Sequence, residues 1–316
     1  MKKILGIGNA LVDVLLEIQN DDQIERFGLT KGGMEMIDAE KKREIHTAIS
    51  HLDQKIASGG STSNTIYGLA KLGAKTGYIG KISNDKAGDF FKNDMVNANI
   101  NTHFLYSEID TGIATTFISI NGERTFATYL GAAATMTPEE IDIEVIKQYD
   151  IIHVEGYLIF NRELVIDICK KAKACGLLIS MDMASYNLVE AMHDLVQELL
   201  DQYVDIIFAN EEEAKAFTGK EEIEALEELS KYCPVAIVKL GPRGSIAKVN
   251  GQITEIAPAP GERIDTTGAG DIYASGFLYG LINDLSVEES GALASKLGAA
   301  CIQTIGARIS DEHFAS

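Results

Sequence analysis

Short, uninterrupted apolar runs recur along the chain and limit its fold more than any other feature. Residues 3–8, 76–80, 150–154, 177–181, 205–209 and 234–240 each have the length of a strand. Between them lie longer segments with helical apolar spacing, at 61–72, 85–98, 162–174 and 186–200. A run apolar at nearly every position suits a strand covered on both faces, and its alternation with helices makes βαβ units. The pattern predicts an α/β fold of three layers, with helices on either side of a mostly parallel sheet. Such sheets bind ligands at the C-terminal ends of their strands. No linker, internal repeat or low-complexity tract divides the 316 residues, so one domain over 1–316 is expected.

Two stretches break this rhythm. Residues 12–18 and 33–37 are strand-like, with no helix expected between them. Residues 114–120 and 124–129 flank Asn121-Gly122, a hairpin signal because both residues tolerate positive φ. A small β-sheet built from insertions at about 12–38 and 104–131 follows, projecting beside the main layer as a mobile lid. An edge extension of the main sheet is the alternative. A second hairpin pattern, 245–249 and 252–256, surrounds Asn250-Gly251.

The formal net charge of −19 argues against a general nucleic-acid binder, which needs a basic surface. It also repels anionic ligands, so any phosphate must be held by local dipoles, a few basic residues and a divalent cation. Solubility is the plainer reading of the charge, and the acidic run 221–228 reads as a solvated helix face. The N-terminus runs straight into a strand pattern, and no stretch of about 18 apolar residues suggests a membrane span. Cys169, Cys175, Cys233 and Cys301 show no CxxC spacing and sit among apolar neighbours. Free thiols in a reducing compartment, and hence a cytoplasmic location, are expected. The six histidines share no metal-ligand spacing, which argues against a zinc site.

The stretch Asp265-Thr266-Thr267-Gly268-Ala269-Gly270-Asp271, followed by an apolar helical pattern, carries the most chemistry. Gly268 and Gly270 let the backbone approach a ligand, and consecutive N–H groups at a helix start form an anion pocket. An acid inside such a pocket repels the anion unless its task is to take a proton from an attacking hydroxyl. Asp271 is therefore a candidate general base; a first-turn acid after a glycine turn is the equal alternative. No GxxxxGK[ST] loop is present, and Gly6-Ile7-Gly8 lacks the third glycine of a dinucleotide fingerprint, having Leu11 there.

The 265–271 stretch resembles the C-terminal signature of the ribokinase (PfkB) family. Residues 59–64, Gly-Gly-Ser-Thr-Ser-Asn, continuing through Leu72-Gly73-Ala74 to 80–85, resemble its N-terminal signature. Residues 8–13 and Asn210-Glu211-Glu212-Glu213 also match in order, so the similarity spans essentially the whole chain. The resemblance implies a ribokinase-like fold with a small β lid, and an ATP- and Mg²⁺-dependent kinase. It assigns Asp271 as base and the Gly268, Ala269 and Gly270 amides as anion hole. Asp13 matches the acid that binds sugar hydroxyls; Gly59, Gly60 and Asn64 match the substrate-contacting turn and helix start. A purely structural Asn64 stays open.

Asn210 and Glu213 match a motif that organises Mg²⁺ and phosphate, Glu213 acting through water, although the same residues would serve as helix cap and first-turn acids. Lys239, Gly241, Gly244 and Thr267 resemble the segments lining ATP; family members often have threonine where Lys239 stands. Asp265, with nearby carbonyls and the loop at Gly306, resembles a monovalent-cation site suited to K⁺. Arg124 beside the hairpin turn is a candidate to neutralise phosphate as the lid closes, or an idle surface arginine.

Ser61-Thr62, where ribokinase-like members carry Lys-Gly, together with 128–132 and 155–158, resembles the adenosine-kinase-like branch. Phe117, Phe126, Tyr129 and Tyr157 are candidates for the wall against a nucleoside base, though aromatics in small sheets commonly serve packing. Met181-Asp182-Met183 instead resembles sugar-kinase relatives. The expected substrate is a nucleoside, adenosine first; a sugar (fructose, ribose or 2-keto-3-deoxygluconate) is the alternative, and a catalytically inactive sugar- or nucleoside-binding protein a remoter one. A homodimer through the lid is expected, because an exposed small sheet is otherwise an aggregation edge.

Overall fold

Strands form where the apolar runs fall. The computed structural model, which describes residues 2–314, contains β1 (Lys3–Ile7), β2 (Leu11–Glu17), β3 (Met34–Met36), β4 (Lys55–Gly59), β5 (Lys75–Ser83), β6 (Asn101–Ser107) and β7 (Thr111–Ile118). It continues with β8 (Arg124–Gly131), β9 (Ile151–Val154), β10 (Leu178–Asp182), β11 (Ile206–Asn210), β12 (Val235–Lys239), β13 (Ser245–Val249) and β14 (Gln252–Ile256). Nine of these form one sheet in the order β14-β13-β12-β11-β10-β9-β1-β5-β6. From β6 to β12 every pairing is parallel; β13 and β14 close one edge antiparallel, as the Asn250-Gly251 turn requires.

Both faces are covered. In β1, Leu5 and Ile7 enter one core and Ile4 the other, as the period of two demands. The first core is shared with helices Arg162–Ala174, His193–Gln202 and Glu222–Leu229. The second is shared with Ser61–Lys71, Lys86–Asn97, Ala269–Ile282 and Val287–Cys301. Each fully buried side chain of this kind contributes roughly 1.5–3 kcal/mol. The three-layer architecture expected from the sequence is the one observed.

The helix expected over 186–200 divides at Met192 into Tyr186–Ala191 and His193–Gln202. The Met192 backbone, at φ −121° and ψ 26°, leaves the helical region. Between β2 and β3, where no helix was expected, a short helix Asp22–Arg26 forms and buries Ile24.

The second sheet has five strands in the order β3-β8-β7-β2-β4. It differs from expectation at two places. Residues 104–107 belong to β6, which pairs with β5 in the main sheet. The missing strand is β4, antiparallel to β2; its Lys-Ile-Ala-Ser-Gly sequence is too small and polar to announce a strand.

Alternation sorts this sheet's faces. Val14, Leu16, Phe117 and Ala127 pack with Ile24, Phe27, Ile45 and Ile49 of helices Asp22–Arg26 and Ala39–Ile49 and the segment between. Asp13 and Ala114, a registered pair, lie on the opposite face with Arg124, Phe126 and Thr128. The sheet is rooted at the C-terminal ends of the main strands: three residues separate β1 from β2 and three separate β6 from β7.

Among the described residues, no helix is long and apolar enough to cross a membrane. All four cysteines are free thiols, three of them buried.

Candidate active site

The site gathers where β1, β9, β10, β11 and β12 end, opposite the helix Ala269–Ile282. Gly268 precedes that helix with φ +74°, a left-handed value that suits glycine. A Cβ there would lie 2.3 Å from the Ala307 Cβ, so the turn is pressed against the C-terminal segment. The Ala269 amide donates to the Thr266 carbonyl at 3.2 Å. The Gly268 and Gly270 amides have no protein acceptor among the described residues. Two amides of this helix start are therefore free for an anion, with Ala269 already engaged.

Asp271 occupies the third position of the helix, and two side chains of the facing helix Ser61–Lys71 hold it. The Ser61 hydroxyl donates to Oδ1 at 2.7 Å and the Asn64 amide to Oδ2 at 3.0 Å. Burial pushes its carboxyl up to about 6, against the Asn64 and Ser61 hydrogen bonds, with Asp182 repulsion adding to the rise. A carboxyl at that value is half-ionised just below neutrality, where it can accept a proton. Asp271 stands in the first turn, as the alternative expected, but its side chain caps no helix amide and binds the facing helix instead.

Helix Ser61–Lys71 starts close to the base because Gly60 bends the chain. Its φ is +87°, and a Cβ would stand 2.2 Å from the Asn9 carbonyl oxygen. Gly59 leaves room for Asp13: a Cβ there would meet the Asp13 Oδ1 at 2.2 Å. Asp13 has no hydrogen-bond partner of its own side chain among the described residues. Burial raises its carboxyl to about 7, opposed by Arg308 and Arg124. An unpartnered carboxylate beside glycine backbone is suited to accept substrate hydroxyls.

Behind this turn, Glu155 accepts from the Asn9 amide at 2.5 Å and from the Thr62 N–H at 3.2 Å. Burial lifts its carboxyl to about 7.

The β12 end contributes Lys239, whose ammonium donates to Asp182 Oδ2 at 2.7 Å. The same nitrogen lies 3.0 Å from where a Gly270 Cβ would be, beside that helix start. Burial pulls this ammonium down, but Asp182 and Glu213 together hold it above the ordinary lysine value. Asn210 and Glu213 form a closed capping box at the start of helix Glu211–Thr218. The Glu213 N–H donates to Asn210 Oδ1 at 2.8 Å, and both Glu213 oxygens accept from Asn210. The helix-cap alternative is thus realised. Gly241 and Gly244 sit in the loop after β12, at φ +55° and +91°.

Arg124 is neither idle nor exposed. Its guanidinium pairs with Asp265 at 2.6 Å, with side chains 11% and 0% exposed, tying the small sheet to the loop before helix Ala269–Ile282. Asp265 also accepts the Thr267 amide at 2.9 Å and the Gly306 amide at 2.6 Å. Its carboxylate is taken up by these three partners, so the acid expected at a K⁺ site acts as an anchor for two loops and an arginine. Among the described residues, no group of three or more His, Cys, Asp or Glu is arranged to hold a metal ion.

The aromatic candidates separate by face. Phe126 shares the face of Asp13 and Arg124, whereas Phe117 and Tyr129 lie on the other. Phe117 is fully buried in the small sheet's own core, 6.0 Å from Phe27, and Lys42 covers the Tyr129 ring at 4.9 Å. These two cannot wall a ligand. Tyr157 reaches toward the Ala184 carbonyl at 3.4 Å from the turn after β9.

Sequence reasoning missed four functional candidates: Ser61, Glu155, Asp182 as partner of Lys239, and Arg308. The first three lie inside quoted motifs without a role. Arg308 lies outside them all.

The profile of pfkB family carbohydrate kinases matches residues 23–313. The crystal structure of adenosine kinase from Sinorhizobium meliloti is 32% identical, with a TM-score of 0.88, and the match covers 97% of this chain and 95% of that one. That of a probable sugar kinase protein from Rhizobium etli is 31% identical at a TM-score of 0.88, covering 98% and 95%. A 5-dehydro-2-deoxygluconokinase of Listeria monocytogenes is 30% identical over 78% of this chain and 80% of its own length.

Proposed function

The chain belongs to the pfkB family of carbohydrate kinases, and we propose that it transfers the γ-phosphate of ATP to a hydroxymethyl group of a nucleoside, adenosine first. The observation that carries this is Asp271 in the first turn of a helix whose Gly268 and Gly270 amides are free to take phosphoryl oxygens. An acid and an anion pocket at one helix start fit a base beside a transferring phosphoryl group.

Asp13, Gly59, Gly60 and Asn64 bind and orient the acceptor's hydroxyls, with Phe126 and Tyr157 beside its base. The acceptor hydroxyl then passes its proton to Asp271 as its oxygen attacks. The Gly268 and Gly270 amides, with Lys239 beside them, hold the charge that develops on the phosphoryl oxygens. Lys239, Gly241, Gly244, Asn210 and Thr267 line the nucleotide. ATP supplies the phosphoryl group; Mg²⁺ would be held through water near Glu213 and would supply charge neutralisation. Arg124 and the small sheet close the site from above. A K⁺ requirement would rest on the loop carbonyls near Asp265 and is read by replacing K⁺ with tetramethylammonium.

The nucleoside reading draws support from the 32% identity to a rhizobial adenosine kinase over 97% of the chain. The sugar reading draws support from the Listeria relative. A coupled ADP-release screen with adenosine, inosine, ribose, fructose, 2-keto-3-deoxygluconate and 5-dehydro-2-deoxygluconate separates them. Adenosine preferred by about tenfold in kcat/KM, roughly 1.4 kcal/mol, supports the proposal; a sugar preferred by as much transfers it to the second reading. No turnover on any acceptor refutes both. Asp271→Asn is expected to lose about 10²–10⁴-fold in kcat with the fold intact. Because the base works ionised, the wild-type rate should rise with pH through about 6; a rate flat from pH 5 to 8 contradicts the assignment.

A further inference from the structure

Arg308 follows the turn at Gly306 and touches three residues of two helices at once. Its Nε donates to Asp94 Oδ2 on helix Lys86–Asn97 at 3.1 Å. Its guanidinium carbon stands 4.2 Å from the centre of the Tyr67 ring. Its Nη1 donates to Asn64 Oδ1 at 2.7 Å. The ion pair and the ring contact hold the fork, leaving Nη1 aimed at the asparagine.

The consequence lies in donor chemistry. An amide offers an oxygen that accepts and a nitrogen that donates, and a guanidinium only donates. Arg308 therefore obliges Asn64 to turn its oxygen away from the site and its NH₂ toward Asp271 Oδ2. Flipped by 180°, Asn64 would set its carbonyl against the carboxylate and its NH₂ against the guanidinium, losing both bonds. We propose that Arg308 is a positioning residue for the phosphotransfer: by fixing the Asn64 amide it keeps a hydrogen bond on the ionised form of the base. The inference rests on Asp271 being that base.

The sign follows from which form is favoured. A donor to the carboxylate stabilises the charged state, so its loss raises the Asp271 midpoint and leaves fewer molecules ionised below neutral pH. The other groups around Asp271 are Ser61 on its own facing helix, Lys239 from β12, Asp182 from β10, and Glu155 and Tyr157 from the β9 end. Glu213 from helix Glu211–Thr218, Asp13 from β2 and Cys301 from helix Val287–Cys301 complete the set. Arg308 also lowers Asp13 by its charge. Removing that charge lets Asp13 protonate and relieves its repulsion of Asp271, an effect opposite in sign to the lost hydrogen bond. Arg308→Lys, which keeps the charge but not the planar fork, separates the two.

The test is a ¹³C carboxyl NMR titration of the full chain, with the Asp271 resonance assigned through Asp271→Asn, beside kcat against pH at saturating ATP and acceptor. Arg308→Met and Asn64→Leu are each expected to raise the Asp271 midpoint by about one pH unit, the size of a lost bond to a charged group. Arg308→Lys, which loses the fork but keeps the charge that restrains Asp13, should raise it at least as far as Arg308→Met. Adding Arg308→Met to Asn64→Leu should raise it no further. The acid limb of kcat should move with the midpoint. A folded Arg308→Met protein with a midpoint within about 0.2 units of wild type overturns the proposal, even if its Tm is lower. Should Arg308→Met not fold, an unmoved midpoint in Asn64→Leu overturns it equally. The titration needs no substrate, so an enzyme that phosphorylates none of the acceptors refutes the kinase reading without deciding this one.

Discussion

Replacing Gly268 by alanine tests the anion hole through geometry alone. The added Cβ would lie 2.3 Å from the Ala307 Cβ, whereas carbon atoms rest about 3.5–4.0 Å apart. The turn and the Ala307 segment must therefore part by more than about 1 Å. Alanine at φ +74° costs about 1–2 kcal/mol, and the overpacking a further 1–3 kcal/mol. A displacement of about 1 Å in catalytic groups costs about 10²-fold in rate. Gly219 supplies the control. It too is left-handed, at φ +69°, but a Cβ there meets nothing within 4 Å, so Gly219→Ala pays the backbone term without the clash. A coupled ADP assay at saturating substrates, with thermal melts of both variants, reads the outcome. Both should melt a few degrees low; Gly268→Ala alone should lose about 100-fold in kcat, with acceptor KM changed little. If Gly268→Ala keeps kcat within about threefold of wild type, the amides of this turn do not grip the phosphoryl group.

Three further outcomes follow from the same geometry. Arg124→Met strands Asp265, whose side chain is fully buried; the two amide bonds it keeps limit the loss to about 3 kcal/mol, at the low end for a broken buried pair, and urea denaturation with an unchanged midpoint would contradict this. Lys239→Met removes the cation among Asp182, Glu213 and Asp271, so the acid limb of kcat should move to higher pH and the KM for ATP rise about tenfold; unchanged values of both would take Lys239 out of the nucleotide site. The edge strands of the small sheet expose Met34, Met36 and Ile56 at 47%, 53% and 54%, and a homodimer through that sheet is expected; light scattering that gives a monomer at micromolar concentration rejects it.

The main sheet was legible because its signal is redundant. Every strand from β1 to β12 in the parallel region apart from β6 is an apolar run, and each helix carries its own periodicity, so a local misreading changes a boundary and not the architecture. The small sheet was half legible. The hairpin β7–β8 announces itself through Asn121-Gly122, but β4 is written in residues that fit a strand only because β2 lies beside it. In the site, the backbone parts were readable, since Gly60 and Gly268 stand where left-handed turns are needed. The ion pairs were not. Arg124 and Asp265 lie 141 positions apart along the chain, and nothing in either neighbourhood reveals that two loops and a β-hairpin meet there. Likewise Phe117 and Tyr129 looked equivalent to Phe126 until register placed them on opposite faces.

The charge of the site explains how so acidic a protein accommodates a polyphosphate. The site holds six carboxyl groups, Asp13, Glu155, Asp182, Glu213, Asp265 and Asp271 itself, and three cations, Lys239, Arg124 and Arg308. Each cation already has an acid in contact: Asp182, Asp265 and Asp94. No surplus positive charge awaits the phosphates. Four of the acids, Asp13, Glu155, Glu213 and Asp271, are instead lifted toward neutrality, mainly by burial. They are therefore partly protonated near pH 7, and the cavity is less negative than its composition implies. On the proposed reading, attraction of the phosphates would then fall to the Gly268 and Gly270 amides, whose partial charge is fixed and needs no counter-ion, and to a divalent cation. The paired side chains set the shape and proton affinity of the site; the backbone supplies the field. That division is why the glycine turn, and not any one basic residue, is where the chain's activity should be most sensitive to substitution.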